Sequence, residues 1–181
     1  MRIIGGRLRG RTIVPPKKLS ARPTTDFAKE GLFNILNNHI DFEGLYALDL
    51  FAGTGSMGYE LMSRGADRVD AVELNPLHHK FIVQTAQRLS LHGLTAIRAD
   101  AFGFVERAAS TSYGLVFADP PYDHDRLHEL PDLVMAHGLL APNGWMVLEH
   151  SARYNFGAHA NFLDHRAYGS VNFSFFKKNA L

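Results

Sequence analysis

Asp49, Glu73, Asp100 and Asp119 each stand at or near the end of a short apolar run: LYALDL, RVDAVEL, TAIRAD and GLVFAD. The last run continues into PPYD, so that an acid, two prolines (Pro120 and Pro121) and an aromatic ring (Tyr122) leave it together. A single acid in such a place is unremarkable. Four on successive runs would cost stability unless water or a ligand satisfied them, so the four carboxylates are read as lining one crevice.

The run that carries Asp49 leads into DLFAGTGSMGYEL, in which Gly53, Gly55 and Gly58 meet the pattern G-x-G-x-x-G. Glu73 follows Gly53 at the distance where a dinucleotide-binding fold places its ribose acid. A nicotinamide dehydrogenase fits that spacing too. Asp49 and its fellow acids separate the two readings: an anionic crevice repels a pyrophosphate and suits a ligand bearing an ammonium and a sulfonium. S-adenosylmethionine carries both and has no phosphate. In that reading Gly53 and Gly55 let the backbone approach the amino-acid part of the ligand, and Phe51 and Thr54 belong to the same loop. Glu73, with Leu74 beside it, accepts the ribose hydroxyls. Asp100 accepts the adenine amino group, and the Ala101 N–H meets a ring nitrogen.

The DPPY segment suits an amine. Prolines offer no N–H, so the Asp119 carboxylate and the Pro120 carbonyl both present acceptors on a backbone of fixed φ. An amino group conjugated to an aromatic ring is a poor nucleophile. Two acceptors on its hydrogens favour the pyramidal form, whose lone pair can reach a sulfonium methyl. Tyr122 then provides a face for the planar base, with its ring expected to matter more than its hydroxyl.

These residues need strands that end together. Strand-like runs at 45–50, 68–74, 95–100, 114–119 and 144–150 alternate with helical stretches near 56–64, 76–92, 101–109 and 126–138, the pattern of a parallel sheet covered on both faces. Pro131 should break or restart the last helix. FLDHRAYGSVNFSFFKK reads as a hairpin turning at Gly169–Ser170 and added at the sheet's end. Ahead of the sheet, RIIGGRLRGRTIV reads as a short hairpin or small sheet. A helix should start at Thr25–Asp26, with Phe27, Leu32, Phe33 and Leu36 on its apolar face.

Composition bounds the class. The 181 residues, 46% hydrophobic and 20% charged, suit one ordinary globular domain with a real core. There is no cysteine, which removes disulfides, thiolate zinc sites and cysteine nucleophiles. The absence of an apolar leader or spanning segment predicts a cytoplasmic protein without a membrane partner. The net charge of +1 conceals an asymmetry: residues 1–25 hold Arg2, Arg7, Arg9, Arg11, Lys17, Lys18 and Arg22 and no acid. Such an arm suits a polyanion, most simply nucleic acid. His124 and His128 have i, i+4 spacing, but Asp125, Arg126 and Glu129 around them mark a solvated surface helix, and no metal is expected.

Taken together, RIIGGRLRGR, ARPTTDFAKEGLFNIL, DLFAGTGSMGYELMSRGA, VELN, DPPYD and GLLAPNGWMVLEH, in that order, resemble the RsmD family of guanine-N2 methyltransferases of small-subunit ribosomal RNA. The resemblance implies an α/β fold: a Rossmann-like, seven-stranded, mostly parallel sheet with a C-terminal antiparallel hairpin and a basic N-terminal extension. It also implies an extension over residues 1–40 and a methyltransferase domain over 41–181. S-adenosylmethionine would be the cofactor, and ribosomal RNA the partner, within a small ribosomal subunit or its assembly intermediate. The chain departs from the family at Phe27, where a basic residue is usual after RPT-x-D. Two other functions fit parts of the pattern. A DNA adenine or cytosine amino-methyltransferase shares DPPY but normally carries a sizeable target-recognition region. A non-catalytic RNA-binding assembly factor would have no need of the intact acids.

Overall fold

Five apolar strands separated by helices build the parallel part of the sheet, as the alternation requires. The computed structural model describes residues 1–19, 25–108 and 111–178. Strands β1 (Tyr46–Leu50), β2 (Arg68–Val72), β3 (Leu94–Ile97), β4 (Tyr113–Ala118), β5 (Leu140–His150), β6 (Phe162–Tyr168) and β7 (Val171–Lys177) lie in the order β3-β2-β1-β4-β5-β7-β6. The first five are mutually parallel, and β7 runs antiparallel to both β5 and β6. Strand order reverses between β1 and β4, so the chain ends leaving those two strands, at Asp49–Leu50 and Ala118–Asp119, meet at the switch point where open α/β sheets bind ligands.

Helices α1 (Asp26–Leu36), α2 (Ser56–Arg64) and α3 (Pro76–Arg88) bury Leu32, Phe33, Leu61 and Ile82 with Leu115, Phe117 and Phe173 of the strands. On the opposite face α4 (Ala101–Arg107) and α5 (Leu130–Ala136) bury Phe102, Val105 and Val134 with Val116, Met146 and Phe176. Alternate β4 residues thus serve opposite cores, as a strand period of two dictates. The stretch expected to be helical from 126, broken or restarted at Pro131, is a 3-10 turn, Leu127–Glu129, followed by α5 with Pro131 in its first turn, a position that tolerates a missing N–H. β5 starts at Leu140, four residues earlier than expected. Its register with β4 shifts between Tyr113 and Leu115, which absorbs the Pro-Asn-Gly segment. Among the described residues no helix is long and apolar enough to cross a membrane.

One expectation for the N-terminal part needs correction. Thr25 caps α1 by accepting from the Ala28 N–H at 3.1 Å, as expected, yet Phe27 is 68% exposed, in a T-shaped contact with the Tyr168 ring. The buried stripe set by Leu32, Phe33 and Leu36 runs back four residues to Ala28 and Lys29, leaving Phe27 off the face. The short hairpin is present: Arg2 bridges Thr12, the Ile3 N–H donates to the Arg11 carbonyl and the Ile13 N–H to the Met1 carbonyl, with a 3-10 turn at Gly6–Leu8 between them. Its other support is α2. The Ile4 N–H donates to Glu60 Oε2 (2.9 Å), and the Ser63 hydroxyl donates to the Gly5 carbonyl (2.6 Å) while accepting from the Leu8 N–H (2.9 Å). Gly6, at φ +72°, lies so close that a Cβ would stand 1.9 Å from the Ser63 carbonyl oxygen. Ile3, Ile13 and Leu19 are buried in the same core as α1 and α2.

Candidate active site

At the carboxyl ends of the parallel strands a crevice of about 670 Å³ opens, within the range of cofactor sites. All four acids singled out in the sequence line it, as do Phe51, Gly53, Thr54, Leu74, Ala101, Pro120, Pro121 and Tyr122. Gly55 does not. It caps α2 at φ +85° with Tyr59 against it, so its contribution is to the turn that aims the loop.

Three of the four acids are held by backbone N–H groups. Asp49 Oδ2 accepts from the Gly58 N–H at 3.2 Å, tying β1 to α2. Glu73 Oε2 accepts from the Gly53 N–H and Oε1 from the Asn75 N–H, both at 2.7 Å, so this carboxylate spans the glycine loop and the loop into α3. Asp100 is the N-cap of α4, accepting from the Gly103 N–H at 2.7 Å, which leaves the Ala101 N–H in the helix's first turn. Burial pushes the Asp49 carboxyl up to about 7; the Gly58 N–H opposes this and the charge of Glu73 adds to it. Burial also raises Asp119 well above the carboxylate range, reinforced by the charges of Glu149 and Asp49 and by a hydrogen bond with Glu149. Two carboxyl groups poised to take up protons would be returned to their charged forms by a bound cation. The crevice therefore fits an ammonium-bearing and sulfonium-bearing ligand in both charge and size.

Sequence reasoning missed several residues. Glu149, near the end of β5, is 4% exposed, lines the crevice, and accepts the Tyr122 hydroxyl at 2.7 Å. The Tyr122 hydroxyl, expected to be secondary, thus anchors the ring, and the Arg153 guanidinium donates to the Tyr122 carbonyl. Lys29, 2% exposed, also reaches the crevice wall. Its Nζ donates to the Arg2 carbonyl (2.6 Å) and lies 3.4 Å from Ser56 Oγ and 3.6 Å from Glu60 Oε2. Burial lowers its pKa, with Glu60 working in the opposite direction. His124 is not on a helix: it precedes the 3-10 turn, stacks on Phe102 with ring centroids 4.6 Å apart, and lines the crevice. His128 is exposed on the turn.

Of the expected nucleic-acid contacts, Arg2, Arg7, Arg9, Arg11, Lys17 and Lys18 are all exposed on the extension, with Arg2 3.4 Å from Asp26. None of them lines the crevice, though the extension is docked on α2, whose first turn does. Arg22 lies outside the described residues.

A switch-point crevice at the β1–β4 boundary and a sheet finished by an antiparallel hairpin define the Rossmann-like methyltransferase fold. Comparison with known proteins agrees. Over residues 1–177 the sequence matches the model of a family described as conserved hypothetical protein 95. The chain belongs to that family, the RsmD family. It is 32% identical to ribosomal RNA small subunit methyltransferase D of Escherichia coli K12, over 82% of this chain and 74% of the relative. The protein of the same name from Haemophilus influenzae is 32% identical, over 82% and 78%. The solved structure of the Escherichia coli yhhF protein, provisionally described as a methyltransferase, superposes with a TM-score of 0.87 at 28% identity, over 100% of this chain and 99% of that one. A protein of Streptococcus mutans, provisionally described as S-adenosylmethionine-dependent, shares the fold at a TM-score of 0.66 and 17% identity, over 83% of this chain and 48% of that one.

Proposed function

We propose that the protein transfers a methyl group from S-adenosylmethionine to the exocyclic N2 amino group of a guanine in small-subunit ribosomal RNA. The observation that carries this reading is the DPPY elbow at the switch point, opening into the same crevice as Asp49, Glu73 and Asp100. When bound, S-adenosylmethionine supplies an electrophilic methyl group on a positively charged sulfur.

Asp49 holds the ligand's ammonium, Glu73 its ribose hydroxyls, and Asp100 with the Ala101 N–H its adenine. The Asp119 carboxylate and the Pro120 carbonyl take the two hydrogens of the base's amino group. Held in this way, the amino nitrogen would keep its lone pair free for the methyl group that S-adenosylmethionine would supply, and Asp119 or water would take the extra proton. No strong base is needed, since the proton leaves only after the nitrogen carries the charge. The exposed cations of the extension neutralise phosphates beside the crevice, placing the RNA without reading its sequence. The relatives' names support ribosomal RNA as the substrate.

The test incubates the protein with methyl-labelled S-adenosylmethionine and unmodified small-subunit RNA, small subunits or DNA, followed by nucleoside analysis. Labelled N2-methylguanosine from the ribosomal substrates is the expected product. Label confined to DNA, or label in another RNA base, refutes the reading.

A further inference from the structure

Glu149 has no task in the transfer described above, yet it occupies the place next to the reacting group. Ala118 of β4 pairs with Leu148 of β5, so Asp119 and Glu149 follow side by side on adjacent parallel strands. The Tyr122 hydroxyl donates to Glu149 Oε1, and Asp119 is joined to Glu149 by a hydrogen bond that favours the protonated form of Asp119. In its charged form Glu149 can only accept, and the Tyr122 hydroxyl already donates to it.

We propose that Glu149 reads the ring position next to the amino group, so that Asp119 and Glu149 together select a base presenting two adjacent N–H donors; the inference rests on the amino-methyl transfer of the preceding section. Among the four RNA bases guanine alone meets this demand, with N2–H2 beside N1–H. Adenine and cytosine carry an amino group beside an unprotonated ring nitrogen, and uracil has no amino group. With guanine the N1–H donates to the Glu149 carboxylate, and the Asp119 carboxylate takes the amine. With adenine or cytosine a ring lone pair faces the Glu149 carboxylate. A buried acceptor left opposite an acceptor is how sites of this kind reject an analogue. Tyr122 ties stacking to this readout, since its ring is fixed through the same carboxylate.

The experiment compares two substrates on one enzyme preparation. The methylated guanosine is first mapped with wild-type protein on small-subunit RNA. An RNA fragment carrying either guanosine or 2-aminopurine at that position is then assayed; 2-aminopurine keeps the amino group and lacks the N1–H. Wild-type protein should favour guanosine by about 10- to 150-fold in kcat/KM, the scale of one hydrogen bond to a charged group. In Glu149→Gln the amide NH2 can donate to the bare ring nitrogen, so the preference should shrink by at least about tenfold. The ratio is taken within each preparation, so partial misfolding of the variant cancels. A preference that is the same in wild type and Glu149→Gln, or a wild-type preference near one, overturns the role of Glu149. Wild-type protein that methylates no guanine overturns the underlying transfer as well, and does so at the mapping stage.

Discussion

Asp49 offers the sharpest quantitative test of the crevice. Its carboxyl is 1% exposed and pushed up to about 7, chiefly by burial. If a ligand ammonium binds only the ionised form, the apparent Kd for S-adenosylmethionine falls as pH rises from 5 to 7 by about 50-fold, near 2.3 kcal/mol, and then levels off. Above about pH 8 affinity should decline again, as an α-amino group loses its own proton in that range. The sign in the ligand-free protein is the opposite. A folded-state pKa above the ordinary carboxylate value means stability present at low pH and lost as pH rises toward 7, so Tm should fall across that interval. Calorimetric titration from pH 5 to 9 measures the first effect and thermal unfolding the second. Asp49→Asn supplies the control, since its side-chain oxygen can still accept from the Gly58 N–H: at pH 8 it should lose about 1.5 to 3 kcal/mol of affinity, and the rise between pH 5 and 7 should vanish. His78 and His124 line the same crevice, which makes the control necessary. A pH profile in Asp49→Asn as steep as in wild type would refute the assignment of the ammonium to Asp49.

Asp119→Ala should abolish methyl transfer while retaining cofactor binding, measured by single-turnover assay and calorimetry; near-normal turnover would remove the amine-holding role. Tyr122→Ala should lose about 1 to 3 kcal/mol in kcat/KM for RNA, the scale of base stacking, with Tyr122→Phe between it and wild type because the hydroxyl anchors the ring to Glu149. Equal losses in the two would make the hydroxyl the working group. Replacing Arg7, Arg9 and Arg11 together by Ala should weaken RNA binding and make the slope of log K against log salt shallower by roughly 2 to 3, with cofactor affinity unchanged. An unaltered slope would mean that these exposed cations touch no phosphate. Point substitutions suit this test better than deletion of residues 1–25, which would also take the buried Ile3 and Ile13 out of the core and strip Glu60 of the Ile4 N–H.

Strand ends were the most legible part of the chain. Period-two burial and a breaker after each run located all five parallel strands, and an acid at the end of a strand identified the crevice. Glu149 carries the same signal at the end of GWMVLEH and was passed over, because the run leads into a connection without a glycine or proline motif to mark it. Phe27 and Lys29 show where local pattern fails. By hydropathy the phenylalanine belongs inside and the lysine outside, but the helix phase set by Leu32 and Phe33 puts Lys29 in, where Glu60 and the Arg2 carbonyl satisfy it. Glu60 and Ser63 likewise look like the solvent face of α2, and the docking of the extension, more than 50 residues away in sequence, helps to bury them. Long-range partners of this kind leave no trace in spacing.

The wall of the crevice joins the two extremes of the chain. Thr25 and Lys29 of the first helix region and Ser170 and Val171 of the last hairpin all line it, and Gly31 fits so closely against Tyr168 that a Cβ would stand 2.2 Å from the ring. β7, the last strand made, also lies inside the sheet, between β5 and β6. A chain emerging from the ribosome can therefore assemble β1 to β4 and dock its extension on α2 well before the cofactor site has its far wall. Contacts of such long sequence separation form late, since the intervening loop must be ordered first. Nascent chains stalled before β7 has emerged should protect the N-terminal extension from proteolysis yet fail to retain S-adenosylmethionine, so the site stays silent until β7 has joined the sheet.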